Sequence, residues 1–105
     1  MKIRFDPKKI RIRISQKELF DLEKYSEIRE EFEFPNGIIL PFIIRSKSQN
    51  QDIAFKYSNN QYVFAISQQV IDFLKENPKS KNGHTTQYLK KNQEESLLSI
   101  AVDLI

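Results

Sequence analysis

The stretch from Ile10 to Leu22 changes period part-way, and that change constrains the fold more than any other feature. Ile10-Arg11-Ile12-Arg13-Ile14 alternates apolar and basic side chains, the two-residue period of a strand with one buried face. From Ser15 the period becomes helical, with Leu19 and Leu22 three apart on one side. Ser15 followed by Glu18 is a capping box, in which each side chain bonds an orphan amide of the first helical turn. A strand must run directly into a helix here, so an α+β fold is expected.

The same join recurs. Ile14-Ser15-Gln16 and Ile66-Ser67-Gln68 both end a strand pattern and open a helical one, and Leu22 and Leu74 come at the same distance after them. The offset is 52 residues, as from Ile14 to Ile66. Each half then holds a strand, a helix and a second strand, which leaves pseudo-twofold halves open. A shared strand-to-helix solution explains these identities as well as duplication does.

In chain order, Lys2 to Phe5 reads as a strand closed by Asp6-Pro7, Ile10 to Ile14 as a second, and Ser15 to Lys24 as a helix. Glu27 to Phe34 is a third strand, with Glu30 on its apolar face beside Ile28, Phe32 and Phe34. Pro35-Asn36-Gly37 is a tight-turn signal, since proline presets its own φ while Asn and Gly tolerate positive φ. It leads into a strand over 38–45 that is apolar on both faces, as in a central strand, yet contains Pro41, which favours an edge. Asp52 to Tyr57 and Gln61 to Ile66 make a second hairpin around Ser58-Asn59-Asn60, and Ser67 caps a helix whose apolar stripe is Val70, Ile71 and Leu74. Residues 77–95, rich in lysine and amides, read as a mobile polar loop with at most a short helical turn after Thr86, and Ser96 to Ile105 closes the chain as a strand with Leu98, Ile100, Val102 and Leu104 inward. The expectation is one α+β domain over 1–105: a mainly antiparallel sheet of about six to seven strands with two helices on one face.

A chain of 105 residues buries about two-thirds of its surface without staples. It contains no cysteine, which removes disulfides, thiolate catalysis and thiolate metal sites. Met1 to Ile14 lacks the apolar core of a signal peptide, and no apolar run is long enough for a membrane span, so a cytoplasmic protein without membrane contact is expected. The net charge is +3, and its distribution matters more than its size. Lys2, Arg4, Lys8, Lys9, Arg11 and Arg13 face only Asp6 in the first strands, whereas Glu18, Asp21, Glu23, Glu27, Glu30, Glu31 and Glu33 dominate the next block. A ladder of cross-strand ion pairs between the two blocks is the plain explanation.

Catalysis needs titratable or nucleophilic groups brought together, and the inventory is thin. His84 is the only histidine and lies in the polar segment Asn82 to Thr86; Gly37 and Gly83 are the only glycines, too few for a phosphate loop or nucleophile elbow. Glu31 and Glu33 share a strand face that reads as solvated. No enzymatic activity, cofactor or metal is expected. A binding function needs less. The leading expectation is a protein-interaction module in which a partner strand, or a second copy in a homodimer, pairs with strand 38–45 while Ile39, Pro41 and Ile43 fill pockets. The alternative is weak nucleic-acid binding by Lys2, Arg4, Lys8, Lys9, Arg11 and Arg13, aligned at every second residue of two strands with two lysines in the turn. Stacking aromatics on that face would strengthen it, but Phe5 points the other way.

The opening Met1-Lys2-Ile3-Arg4 and Ile10-Arg11-Ile12-Arg13-Ile14-Ser15-Gln16 resemble a family of short uncharacterised bacterial proteins. Its members open with this pair of basic-apolar strands and a Ser/Thr-Gln helix start, and the likeness extends more loosely to the final strand. The resemblance implies a small single-domain α+β protein without an assigned activity and supplies no catalytic residue. Members continue with a Lys-Asp-aromatic signature and a cysteine; here Ala101-Val102-Asp103-Leu104-Ile105 stands in that place, and only Asp103 matches.

Overall fold

The computed structural model describes residues 1–48 and 51–103. Its elements run β1 (Lys2–Asp6), β2 (Lys9–Ser15), α1 (Gln16–Tyr25), β3 (Glu27–Glu33), β4 (Ile39–Ser46), β5 (Ile53–Ser58), β6 (Gln61–Ile66), α2 (Gln68–Glu76), β7 (His84–Leu89) and β8 (Glu95–Asp103). The strands form two four-stranded sheets, ordered β1-β2-β8-β7 and β3-β4-β6-β5. Outer strands run antiparallel to their neighbours, but the inner pairs, β2 with β8 and β4 with β6, are parallel. The fold is α+β as expected, yet the mainly antiparallel sheet of about six to seven strands gives way to two mixed sheets. The parallel pairings join residues as distant as Ile12 and Ile100, and no turn signal announces such a contact.

Two compact units divide the chain, one of Met1–Leu19 with Asp72–Ile105, the other of Phe20–Ile71. In the first, Ile12, Ile14, Leu98, Ile100 and Val102 are buried on one face of the first sheet, and Leu19 and Leu74 are buried as well. In the second, Ile28, Ile44, Phe64 and Ile66 are buried on one face of their sheet, with Leu22, Val70 and Ile71 from the helices also buried. The helix starts behave as their sequences dictate. Glu18 N–H donates to Ser15 Oγ at 3.0 Å while Ser15 N–H donates to Glu18 Oε1 at 2.9 Å. Val70 N–H donates to Ser67 Oγ at 3.3 Å.

One expectation is corrected, and one question left open by the sequence is answered. Segment 77–95, read as a polar loop, contains β7, which pairs with β8 from His84↔Ile100 to Leu89↔Glu95. Its alternation places polar beside polar side chains, so it escapes a search for hydrophobic period. The strand over 38–45 is an inner strand: β4 pairs with β3 from Ile39↔Glu33 to Arg45↔Glu27 and with β6 from Phe42↔Tyr62 to Ser46↔Ile66. Pro41 lies one residue before the ladder to β6 begins, which reconciles a proline with an inner strand. The inward placement of Leu104 lies outside the described residues.

The repeat in the sequence is carried into the pairing. A shift of 52 residues takes β1 and β2 onto β5 and β6, as Ile14 onto Ile66, and a shift of 56 takes β3 and β4 onto β7 and β8, as Ile44 onto Ile100. Register survives the shift: Ile12 pairs with Ile100 in the first sheet, and Phe64 with Ile44 in the second. Even the turns correspond. Phe34 N–H donates to Ile38 C=O, Gly37 N–H to Phe34 C=O, and Ile38 N–H to Asn36 Oδ1. Lys90 N–H donates to Glu94 C=O, Gln93 N–H to Lys90 C=O, and Glu94 N–H to Asn92 Oδ1. Gln93 takes a φ of 69° where Gly37 takes 84°. Each half of the sequence is thus a β-β-α-β-β string that gives one hairpin to each sheet.

Candidate functional site

Alternation in β1 and β2 sends Lys2, Arg4, Lys9, Arg11 and Arg13 to one face of the first sheet. Register then sets Lys2 opposite Arg13 and Arg4 opposite Arg11, while Lys9 stands opposite Asp6. Like charges directly opposite each other destabilise a sheet by about 0.2–1 kcal/mol a pair. The face is only partly neutralised: Lys2 Nζ lies 3.1 Å from Asp103 Oδ2, and Arg4 Nε lies 3.2 Å from Asp6 Oδ2. Among the described residues Lys8, Lys9 and Arg11 take part in no ion pair. The expected ladder between the basic strands and Glu27 to Glu33 is absent among the described residues, because β3 belongs to the other sheet, where Glu27 takes Arg45 and Glu31 takes Arg29.

Next to this row, β8 presents the buried, small residues Ser99 and Ala101 opposite Arg11 and Arg13. Small side chains beside long ones leave a hollow. The segment Lys81-Asn82-Gly83 closes its far side, held down in two ways. Arg13 Nη2 donates to Lys81 C=O at 3.0 Å. Gly83, at φ +57°, approaches β8 so closely that a Cβ there would stand 2.0 Å from Ile100 O and 2.7 Å from Ala101 Cβ. The result is a cavity of about 240 Å³ lined by Lys9, Arg11, Ile12, Arg13, Lys81, Asn82, Ser99 and Ala101. It is smaller than the roughly 300–1,000 Å³ that drug-sized ligands occupy. Four of its lining residues are cationic and none is a carboxylate or imidazole. Such a site can attract and orient an anion.

Sequence reasoning finds the basic residues from β1 and β2 but misses Lys81, Asn82, Ser99 and Ala101. Lys8 sits in the β1–β2 turn, where its C=O accepts the Leu97 N–H at 3.0 Å. The other sequence-derived site fares differently. Ile43 is 2% exposed and β4 has strands on both sides, so Ile43 fills no pocket for an added strand. Ile39 is half-exposed and Pro41 is partly exposed at the same end of the strand.

The second sheet has a feature of its own. A row of aromatic rings crosses its four strands: Phe32 meets Phe42 edge-on, Phe42 stacks on Tyr62 at 5.0 Å, and Tyr62 contacts Phe55 and Tyr57. Its β5 end is open, with Phe55 54% and Tyr57 53% exposed. A depression of about 390 Å³ in the same unit, lined by residues that include Lys47, Asp52 and Ser67, sets one lysine against one carboxylate and so has no net charge of its own.

A family model described as "Family of unknown function (DUF7009)" matches residues 1–104. The chain belongs to that family. Family membership bears out the resemblance to a family without an assigned activity. No curated protein and no solved structure matches the chain. Among the described residues, no group of three or more His, Cys, Asp or Glu is placed to hold a metal ion, and no helix is long and apolar enough to cross a membrane.

Proposed function

We propose that this DUF7009 protein is a non-catalytic module that binds nucleic acid as a polyanion through the basic face of its first sheet. One observation carries the reading: two cation pairs, Lys2 with Arg13 and Arg4 with Arg11, are held like beside like at a cost to the sheet, and Arg11 takes part in no ion pair among the described residues. A face kept positive at a cost has its counter-charge elsewhere, and phosphates at close spacing supply it. Binding of this kind depends on salt and little on sequence. With Lys9, Arg11 and Arg13 meeting phosphates, log K falls against log salt with a slope of about −2 on single strands and about −2.7 on duplex. Fluorescence anisotropy of labelled oligonucleotides over a salt series tests it. A saturable signal with such a slope, lost in an Arg11→Glu/Arg13→Glu variant that keeps its circular dichroism, supports the reading. No binding at low salt overturns it.

Association with a protein, or with a second copy, is the second reading. It rests on the exposed apolar side chains Phe34, Ile38, Phe55 and Tyr57 of the second unit. Sedimentation velocity of Phe55→Ser/Tyr57→Ser against the parent chain tests it: a concentration-dependent dimer lost in the variant supports it, and a monomer throughout leaves self-association without a basis.

A further inference from the structure

The geometry points to the cavity between β2, β8 and residues 81–83 as a seat for one phosphate group. This rests on the polyanion reading and names the chemistry of its centre. Three features separate the cavity from a generally positive surface. First, cations converge on it from two directions, Arg11 and Arg13 from β2 and Lys81 from the loop before β7, with no carboxylate in the lining. Second, Arg13 is pre-oriented. Its Nη2 is tied to the Lys81 carbonyl at 3.0 Å, which fixes the guanidinium plane and leaves its other N–H groups for an oxyanion, the geometry in which arginine binds phosphate as a fork. Third, the floor carries the Ser99 hydroxyl, 6% exposed, beside Ala101. A hydroxyl on the floor adds a neutral donor to the cations around an oxyanion.

The loop is held by the tight approach of Gly83 to β8, so the rim is in place before any ligand arrives. A preformed rim favours a compact, doubly charged phosphomonoester, which two arginines and a lysine can surround, over an internal phosphodiester with one charge. The ligand class is therefore a terminal phosphate, either free or on the end of a nucleic-acid strand.

The test titrates the ¹⁵N-labelled full chain with inorganic phosphate at constant ionic strength, chloride being the reference anion. In parallel, anisotropy compares one single-stranded oligonucleotide bearing a 5′-phosphate with the same strand bearing a 5′-hydroxyl. The expected result is saturable amide shifts centred on Asn82, Gly83 and Ser99 with phosphate only, abolished in Arg11→Gln, and about tenfold tighter binding of the phosphorylated strand. Ser99→Ala, which leaves the charges in place, weakens the phosphate response by several-fold while its spectrum stays folded. Shifts no larger than with chloride, or centred on Ser67 to Gln69 at the start of α2, overturn the inference even if both oligonucleotides bind, and the broader reading then stands without it. Saturable shifts at the cavity with neither oligonucleotide binding support the phosphate seat and overturn the nucleic-acid reading.

Discussion

Replacing Gly83 by alanine destabilises this protein far more than the same change at Gly37, although both glycines have positive φ, 57° and 84°. Alanine in the left-handed region costs about 1–2 kcal/mol at either position, partly offset by the entropy that glycine gives the unfolded chain. At Gly37 nothing lies within 4 Å of an added Cβ, so the loss ends there, at about 1 kcal/mol. At Gly83 the Cβ meets Ile100 O at 2.0 Å and both Ala101 Cα and Cβ at 2.7 Å, against the roughly 3.5–4.0 Å of ordinary carbon contact. The obstacle is backbone inside a paired strand and cannot rotate aside. Displacing residues 81–83 adds about 1–3 kcal/mol, for a total near 2–4 kcal/mol. Urea unfolding followed by circular dichroism measures both variants. In thermal unfolding, at about 4–8 °C per kcal/mol, Gly37→Ala lowers Tm by roughly 4–8 °C and Gly83→Ala by roughly 8–32 °C. Equal losses would refute the reasoning, because they would mean that the close approach to β8 contributes nothing beyond the dihedral angle. In the same experiment Gly37→Ala leaves phosphate binding unchanged, since that glycine belongs to the other unit.

Gln93→Gly stabilises the chain by about 0.5–1 kcal/mol, because Gln93 holds the left-handed conformation that Gly37 holds in the equivalent turn; differential scanning calorimetry reads this as a rise in Tm. Ser15→Ala costs about 0.5–2 kcal/mol, since it removes the acceptor of the Glu18 amide and half of a capping box, and chemical denaturation measures the loss. Charge removal at Arg11 lowers the steepness of the oligonucleotide salt dependence by about one unit without changing stability by more than about 0.5 kcal/mol, whereas Lys56→Ala, on the other sheet, changes neither.

How far the sequence discloses the fold depends on how local each determinant is. The capping box at Ser15 and Glu18, the Val70, Ile71 and Leu74 stripe, and the turns at Pro35 to Gly37 and Asn59-Asn60 are each settled within a few residues, and each is found where the sequence places it. The parallel ladders are not local. Nothing near Ile12 names Ile100 as its neighbour, so a mainly antiparallel sheet is the natural assembly of the visible hairpins. Strand β7 is hidden for another reason. His84, Thr86 and Tyr88 alternate with Thr85, Gln87 and Leu89, a pattern in which the half-buried side is nearly as polar as the exposed one. Its propensity for Thr and Tyr is a signal, as is Asn92, which stands to β7 and β8 as Asn36 stands to β3 and β4. Missing β7 hides half of the cavity, because Lys81 and Asn82 acquire a location only once the strand after them is placed. The basic row is legible by alternation; that it takes no partner from Glu27 to Glu33 is not, since that depends on β3 joining the other sheet.

The exchange of hairpins between the two halves bears on how the protein emerges from a ribosome. β2 leaves the tunnel with its apolar edge ready, but its parallel partner β8 is still untranslated, with Ile12 and Ile100 paired in the finished sheet. At about 5–20 residues per second, that wait lasts roughly 4–18 s, against the microseconds in which a hairpin forms. For that interval the β1–β2 hairpin carries one unpaired edge on β2, and the alternating arginines of β2 serve a second purpose, keeping that edge soluble and repelling identical edges on neighbouring nascent chains until β8 arrives.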